Sequence, residues 1–362
     1  MDFTLACDIM LDLGGSIRPP MYLATELSRR GYRVSMVSPT MSKRVEQNLK
    51  AAGIQPINLK ARLFTKRSGN SVLWFETWFR EALLKLNSRR SPNGPSRVIN
   101  FSQIFSTPAL VWYLQGPPSL ALRDMEEELS TGFRLAYDFL KGIIDYADEK
   151  LIKQMYRDSS VVIANSKFCA SLYTSFGVKT DDVIYPPIDC GVFAPSTSKP
   201  TSDYVLTYFG KETKYSAIKS VADQGVHLKA FGSKTKSVPE NVLRHPNIEC
   251  LGWVDTPNLV RLYSNALFTL FPFTHEPFGY VPLESMACGT PVVTYDSQGP
   301  SECVVNDHTG WLVRTDEEMT QKTVGLWKEN YTPAFRRDCV RKASEFDRKH
   351  YVEKWLRVLE ST

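Results

Sequence analysis

Histidine is absent from the first 226 residues of this 362-residue chain; all five (His227, His245, His275, His308 and His350) lie beyond them. A histidine-based catalytic dyad built within the first half is therefore excluded. The seven cysteines are scattered (Cys7, Cys169, Cys190, Cys250, Cys288, Cys303 and Cys339), odd in number, and form no C-x-x-C pair. That argues for a reducing compartment and against a zinc site or disulfide frame. No apolar run is long enough to span a bilayer, and no basic–apolar–small succession marks a secretory signal. The first apolar run is not followed by G-x-G-x-x-G, and G-x-x-x-x-G-K-[ST] is missing, so dinucleotide and P-loop readings lose support. No short-period repeat, low-complexity segment or metal-demanding Asp/Glu/His cluster stands out.

What is present is an ordinary globular composition, 43% hydrophobic and 23% charged, at a length suited to two domains. The net charge of +5 is unevenly spread. Residues 29–97 hold 15 basic and 3 acidic side chains, whereas residues 101–150 hold 4 basic and 8 acidic. A basic face on one half suits an anionic partner such as phosphate, nucleic acid or an anionic membrane surface; the alternative is a solvated face that serves solubility. No recognition motif supports nucleic acid, and no nucleic-acid partner is expected.

The chain opens as strand, loop, helix, strand. "FTLACDIM" is strand-like and "LDLGGSIRPP" a glycine loop. "MYLATELSRRGY" is a helix with Pro20 in its first turn and Gly31 at its carboxyl cap, and "RVSMVSP" is the next strand. This βαβ unit favours a parallel sheet with a right-handed crossover. Further strands are expected at "QPINL", "RVINF", "ALVWYL" and "SVVIAN". A Pro/Ser/Thr-rich stretch, residues 183–203, reads as an interdomain linker. A second α/β series follows: "YVLTYFG", "HLKAFGS", "NIECLGW", "ALFTLFPF", "TPVVTYD" and "TGWLV", then an amphipathic helix near 345–360. The expectation is an α/β protein of two Rossmann-like, doubly wound domains facing a central cleft. Residues 1–190 would form the acceptor-binding domain, residues 191–345 the donor domain, and residues 346–362 a helix packing back on the first domain. Ligands in such sheets sit beyond the carboxyl ends of the strands.

One stretch carries the chemistry: "THEPFGYVPLESMACGTPVV", Thr274 to Val293. Between two buried strands, Tyr280–Cys288 is expected to form a helix of about two turns, stopped by Gly289 and Pro291. Gly279 lets the chain turn tightly into it. The free N–H groups at the helix start then form a phosphate seat with partial positive charge. Glu284, about one turn in, could accept hydrogen bonds from a sugar hydroxyl on one side of the phosphate. Glu276, before the turn, could do so on the other. Two acceptors flanking a phosphate describe a nucleotide-sugar, ribose on one side and donor sugar on the other. Isolated glutamates would be read as surface acids; the surrounding Pro277, Phe278, Gly279, Gly289, Thr290 and Pro291 argue otherwise.

"EPFGYVPLESMACGTPVV", followed by "GPSECVVNDHTGWLV", resembles the Glu-x7-Glu signature of the family-four retaining glycosyltransferases, which have the GT-B fold. "LGGSIRPPMYLATELSRRGYRVSMVSP", "VVIANSKFCASLYTSFGV", "VIYPPID" and "NIECLGWV" extend the resemblance over nearly the full length. It implies that Glu276 contacts the donor sugar and Glu284 the ribose. The family usually has Gly-Arg after the strand "YVLTYFG", with a lysine five residues beyond the arginine. Here Lys211 replaces the arginine and Lys214 comes after only three, with Lys219 a spare candidate. Lysine serves as a point charge on phosphate without arginine's fork. Many relatives also carry a histidine in the amino-terminal domain near the donor sugar; "VWYLQGPPS" offers Tyr113 and Gln115 instead.

The catalytic set expected is therefore Glu276, Lys211 and Lys214. Donor binding would involve Gly15, Lys211, Lys214, Glu276, Phe278, Gly279, Tyr280, Val281 and Glu284. The resemblance implies metal-independent retaining transfer of a hexose from a GDP- or UDP-sugar to a glycan or lipid-linked acceptor, with no cofactor. Residues 71–91 place Phe75, Trp78, Phe79, Ala82, Leu83 and Leu86 at helical spacing before Arg89 and Arg90. They read either as a helix packed on the first sheet or as a helix docking on an anionic membrane. A cytoplasmic protein, peripheral on the cytoplasmic face of a membrane in the second case, is expected. Two alternatives stay open: a catalytically impaired sugar-nucleotide-binding subunit, suggested by the lysine spacing, and a sugar-nucleotide epimerase of the same fold.

Overall fold

The computed structural model describes residues 2–11, 14–60, 70–84, 97–124, 131–196, 203–210, 212–232 and 238–362. The chain divides into two compact units, Met1–Pro187 with Lys349–Thr362, and Ile188–Arg348.

The first unit runs β1 (Asp2–Ala6), α1 (Arg18–Arg29), β2 (Arg33–Ser38), α2 (Lys43–Ala51), β3 (Gln55–Asn58), α3 (Asn70–Leu84) and β4 (Arg97–Asn100). It continues with β5 (Ala109–Leu114), α4 (Pro118–Asp124), α5 (Thr131–Arg157), β6 (Ser159–Ala164), α6 (Lys167–Thr174) and β7 (Asp182–Val183). The seven strands form a sheet in the order β3-β2-β1-β4-β5-β6-β7, and every pairing is parallel. Helices cover both faces, so the strands read as continuous apolar runs. One face packs Leu23 and Leu27 of α1 against Leu5 and Met36. The other buries Trp112, Leu151, Ile152 and Met155. Trp78 and Ala82 of α3 are buried in that second cluster, with Phe79 and Leu83 packed against it, so this part of the 71–91 segment faces the core. Leu86, Arg89 and Arg90 lie outside the described residues. On α5, Leu135, Phe139, Ile143 and Tyr146 are exposed; their spacing puts them along one side of the helix.

The second unit runs β8 (Val205–Tyr208), α7 (Tyr215–Asp223), β9 (Leu228–Phe231), α8 (Glu240–Leu243), β10 (Ile248–Gly252), α9 (Thr256–Asn265) and β11 (Thr269–Phe271). It continues with α10 (Tyr280–Ala287), β12 (Val292–Tyr295), α11 (Pro300–Cys303), β13 (Gly310–Val313), α12 (Asp316–Glu329) and α13 (Ala334–Ser344). Its parallel sheet has the order β10-β9-β8-β11-β12-β13. Part of the 183–203 stretch packs into this unit: Ile188 N–H bonds the Phe346 carbonyl at 2.9 Å, and Ile188 is buried.

The last helix, α14 (Arg348–Ser361), returns to the first unit. Tyr351, Trp355 and Leu359 join the α1 side of its core. Trp355 lies 5.3 Å from the Phe101 ring and 5.6 Å from that of Tyr113, and Tyr351 OH donates to the Pro19 carbonyl at 3.1 Å. Among the described residues no helix is long and apolar enough to cross a membrane.

Candidate functional site

In the second sheet the strand order reverses between β8 and β11, which are adjacent. The carboxyl ends of two such strands open the crevice where α/β sheets hold ligands. The loop after β8 carries Gly210 and Lys214, and the loop after β11 carries Glu276 and Gly279. The two loops are stitched together. Lys214 N–H bonds the Pro272 carbonyl at 2.8 Å and Thr274 N–H the Glu212 carbonyl at 2.9 Å. Within the first loop, Gly210 N–H donates to Thr213 Oγ1 at 2.8 Å, and Tyr215 OH donates to the Gly210 carbonyl at 2.8 Å.

The turn into α10 needs glycine for two reasons. Gly279 has φ +93°, in the left-handed region, where side chains are strained. A Cβ there would also stand 2.8 Å from Pro300 Cγ and 3.4 Å from Glu276 Cγ. The chain beyond closes over the turn: Gly299 N–H donates to the Glu276 carbonyl at 3.0 Å, and a Cβ on Gly299 would lie 2.1 Å from the Pro277 carbonyl oxygen. Glu276 Oε1 accepts from Phe278 N–H at 3.3 Å, which bends the carboxylate over the turn. Gln298 Nε2 donates to the carbonyls of Phe273 and Thr274, each at 3.1 Å.

Glu284 sits one turn into α10 and is 3% exposed. A buried carboxylate needs hydrogen bonds. Tyr263 OH, from the last turn of α9, donates to Glu284 Oε2 at 3.1 Å. Tyr263 is itself fully buried, and its carbonyl accepts from Thr290 Oγ1 at 2.6 Å. The neighbouring Ser285 Oγ bonds the Thr290 carbonyl and Thr269 Oγ1, both at 2.8 Å. The stretch "CGT" after α10 thus ties that helix to α9 and β11. Electrostatics reflect the gathered acids. Burial raises the Tyr208 phenol above its ordinary value, and the charges of Glu212, Glu276 and Glu284 push it the same way. Burial, with Glu284 next, pushes the Cys288 thiol up to about 12.

The predicted site residues distribute as follows. Phe278 is buried, its ring 5.9 Å edge-on to Tyr280 and 6.1 Å from Phe346. Tyr280 and Val281 are half-buried at the start of α10. Lys214 is engaged: its Nζ lies 2.9 and 2.8 Å from the Asp316 carboxylate oxygens, and Tyr295 OH donates to the same carboxylate at 2.5 Å. Lys219 pairs with Asp223 at 2.7 Å on the outer side of α7. Lys211 lies outside the described residues. Gly15 belongs to the first unit, where it opens a 3-10 turn, Gly15–Ile17, ahead of α1. Tyr113 is buried in the first unit's core with its OH on the Ile184 carbonyl at 2.6 Å, and Gln115 Nε2 bonds the Phe101 carbonyl. Tyr263, Asp316 and Gln298 were not legible in the sequence, where no spacing connects them to the glutamates. Among the described residues no group of three or more His, Cys, Asp or Glu side chains is placed to hold a metal ion.

Residues 216–346 match the family described as Glycosyl transferases group 1. The chain is 38% identical over 88 residues to the alpha-1,3/1,6-mannosyltransferase alg-2 of Neurospora crassa, covering 24% of this chain and 18% of that protein. It is 24% identical over 218 residues to the alpha-1,3/1,6-mannosyltransferase ALG2 of Mus musculus, covering 49% and 51%. The chain thus spans about half, or less, of these relatives' own lengths. Among solved structures, the Anabaena protein HepE in complex with UDP superposes with a TM-score of 0.69 at 16% identity, covering all of both chains. The sucrose-phosphate synthase of Thermosynechococcus elongatus gives 0.71 at 15% identity, covering 99% of this chain and 98% of that one. The fold is GT-B, two α/β units each with a parallel sheet.

Proposed function

We propose, from the match of residues 216–346 to the group 1 glycosyl transferases and from the GT-B fold, that the protein is a retaining hexosyltransferase. It moves a hexose from a GDP- or UDP-sugar to a glycan or lipid-linked acceptor. The observation that carries this reading is the Gly279 turn with a buried, tyrosine-held Glu284 on one side and Glu276 on the other. The names of the relatives, mannosyltransferases, support the class of donor, and HepE was solved with UDP and with UDP-glucose.

In this reading the α10 amides and Lys211 meet the diphosphate, Glu284 accepts from the ribose and Glu276 from the donor sugar. Lys214 joins the diphosphate by exchanging its Asp316 partner. Phe278, Tyr280 and Val281 shape the turn. The acceptor oxygen attacks the anomeric carbon as the carbon–oxygen bond to the diphosphate breaks on the same face. The acceptor's proton passes to the departing phosphate oxygen, so no separate base is needed. The protein's part is to position the reactants and stabilise the charge that develops on the leaving group. That task needs no metal or cofactor here, since the lysines and helix amides supply the positive field.

A lipid-linked acceptor would be met at an anionic membrane surface on the cytoplasmic side. Two features support this: the basic excess of residues 29–97 and the exposed apolar side of α5. One observation favours a second reading, a binding subunit without turnover: Lys214 is already paired with Asp316. Turnover of a sugar-nucleotide separates the two.

The test is a thermal-shift panel of UDP, GDP, ADP and their sugar conjugates on wild type and Glu284→Ala. A ligand at 100 times its dissociation constant stabilises the fold by about 2.7 kcal/mol. One nucleotide class should stabilise the wild type and lose most of its effect in the variant. No shift with any nucleotide would overturn the donor-site reading.

A further inference from the structure

We infer that Tyr263 is a positioning residue that sets the enzyme's selectivity for a ribose-bearing nucleotide, by fixing the carboxylate plane of Glu284. The inference rests on the donor-site reading and adds to it a residue on a different helix, α9.

Tyr263 OH and Glu284 Oε2 meet at 3.1 Å, with Tyr263 fully buried and Glu284 3% exposed. A glutamate carboxylate turns broadly about its last torsion. A donor on one oxygen removes that freedom and fixes where the other oxygen faces. The donor itself is rigid. The Tyr263 carbonyl is held by Thr290 Oγ1 at 2.6 Å and receives Ala266 N–H at 3.2 Å. Its ring stands edge-on to Phe231, centroids 5.7 Å apart. Phe231 in turn packs on Tyr208 at 5.1 Å, at the end of β8. The phenol is thus anchored to the same strand end that opens the site. A carboxylate turned by even a few tens of degrees would present its oxygen off the line of a ribose hydroxyl, and hydrogen bonds weaken steeply with misalignment. Binding of the base and diphosphate would be untouched. Selection between a sugar with hydroxyls and one without them follows from this geometry, because a site built around a hydroxyl discriminates strongly against its absence.

The experiment titrates wild type, Tyr263→Phe, Glu284→Gln and the double variant with two ligands, by calorimetry. The first ligand is the nucleoside diphosphate identified in the thermal-shift panel, and the second is its 2′,3′-dideoxy counterpart. The wild type should prefer the ribonucleotide by about tenfold or more, the range of a hydrogen bond to a charged group. Tyr263→Phe should lose most of that preference while binding the dideoxy form as the wild type does. In the Glu284→Gln background the tyrosine change should have no further effect on the ratio. Equal weakening of both ligands by Tyr263→Phe, or an unchanged ratio, would overturn the inference and leave the tyrosine a packing residue. Should the phenylalanine variant fold poorly, Thr290→Val removes the hydroxyl that holds the Tyr263 carbonyl and leaves Glu284 unchanged, and the same ratio must fall. If the wild type binds neither form, the donor-site reading fails and this inference with it. If it binds both equally, the ribose role of Glu284 and this inference fail while the donor-site reading stands.

Discussion

Gly279 concentrates two demands on one residue. Its φ of +93° strains any side chain by about 1–2 kcal/mol. The Cβ of an alanine would also meet Pro300 Cγ at 2.8 Å. Gly279→Ala should therefore lower the melting temperature by several degrees, at about 2–4 °C per kcal/mol for a unit of this size. It should also weaken nucleotide binding, because the amides at the start of α10 would shift. Calorimetric scanning with and without nucleotide checks both; a melting temperature equal to wild type would mean that the turn relaxes freely. The placement of Glu276 and Glu284 about the Gly279 turn was legible because glycine and proline around it leave few conformations. Their partners were not. Tyr263 is 21 residues from Glu284 and Asp316 is 102 from Lys214, and only the fold brings them together. The same fact alters the reading of Lys214, which spacing alone presents as an available cation.

At the scale of elements, α4 and α5 are joined by a buried acid. Asp148 Oδ2 accepts from Ser119 N–H at 2.8 Å, at the start of α4. Burial pushes its carboxyl up to about 6, against hydrogen bonds from Ser119 and Trp78 that lower it, while Asp145 raises it further. Below about pH 3 the group is protonated in folded and unfolded chains alike. Between about 4 and 6 the unfolded chain has released the proton and the folded one has kept it, so stability falls as pH rises through that window. Above it the loss is complete, about 3 kcal/mol. Asp148→Asn keeps an oxygen for the Ser119 amide without the charge. Urea unfolding should show it more stable than wild type at pH 7 and level with it at about pH 3; a constant difference at both would show that the charge is not the cause. The strands were largely legible because each is apolar and bounded by turn residues, down to a sequence-read α10 at Tyr280–Cys288 that the structure ends at Ala287. The two-residue β7 carries too few residues for any period to show. For α3, periodicity could not decide between core and membrane, since both want one apolar side; the burial of Trp78 and Ala82 decides for the core over that part.

For the molecule as a whole, the basic excess of residues 29–97 and the exposed apolar side of α5 belong to the same unit. The protein should co-sediment with vesicles containing phosphatidylserine at low ionic strength and be largely released at about 0.5 M salt, where screening is nearly complete. Phe139, 86% exposed on α5, is the side chain to change: Phe139→Asp should lower the bound fraction, and equal binding by the variant would remove α5 from the contact. The path of the chain has a further effect. The first unit's core is completed by Tyr351, Trp355 and Leu359, which leave the ribosome only after all of the second unit has emerged. Until then Phe101 and Tyr113 lack the Trp355 ring that packs against both. The last segment of the chain thus completes the core of the first unit, so the two ends of the sequence share one hydrophobic interior.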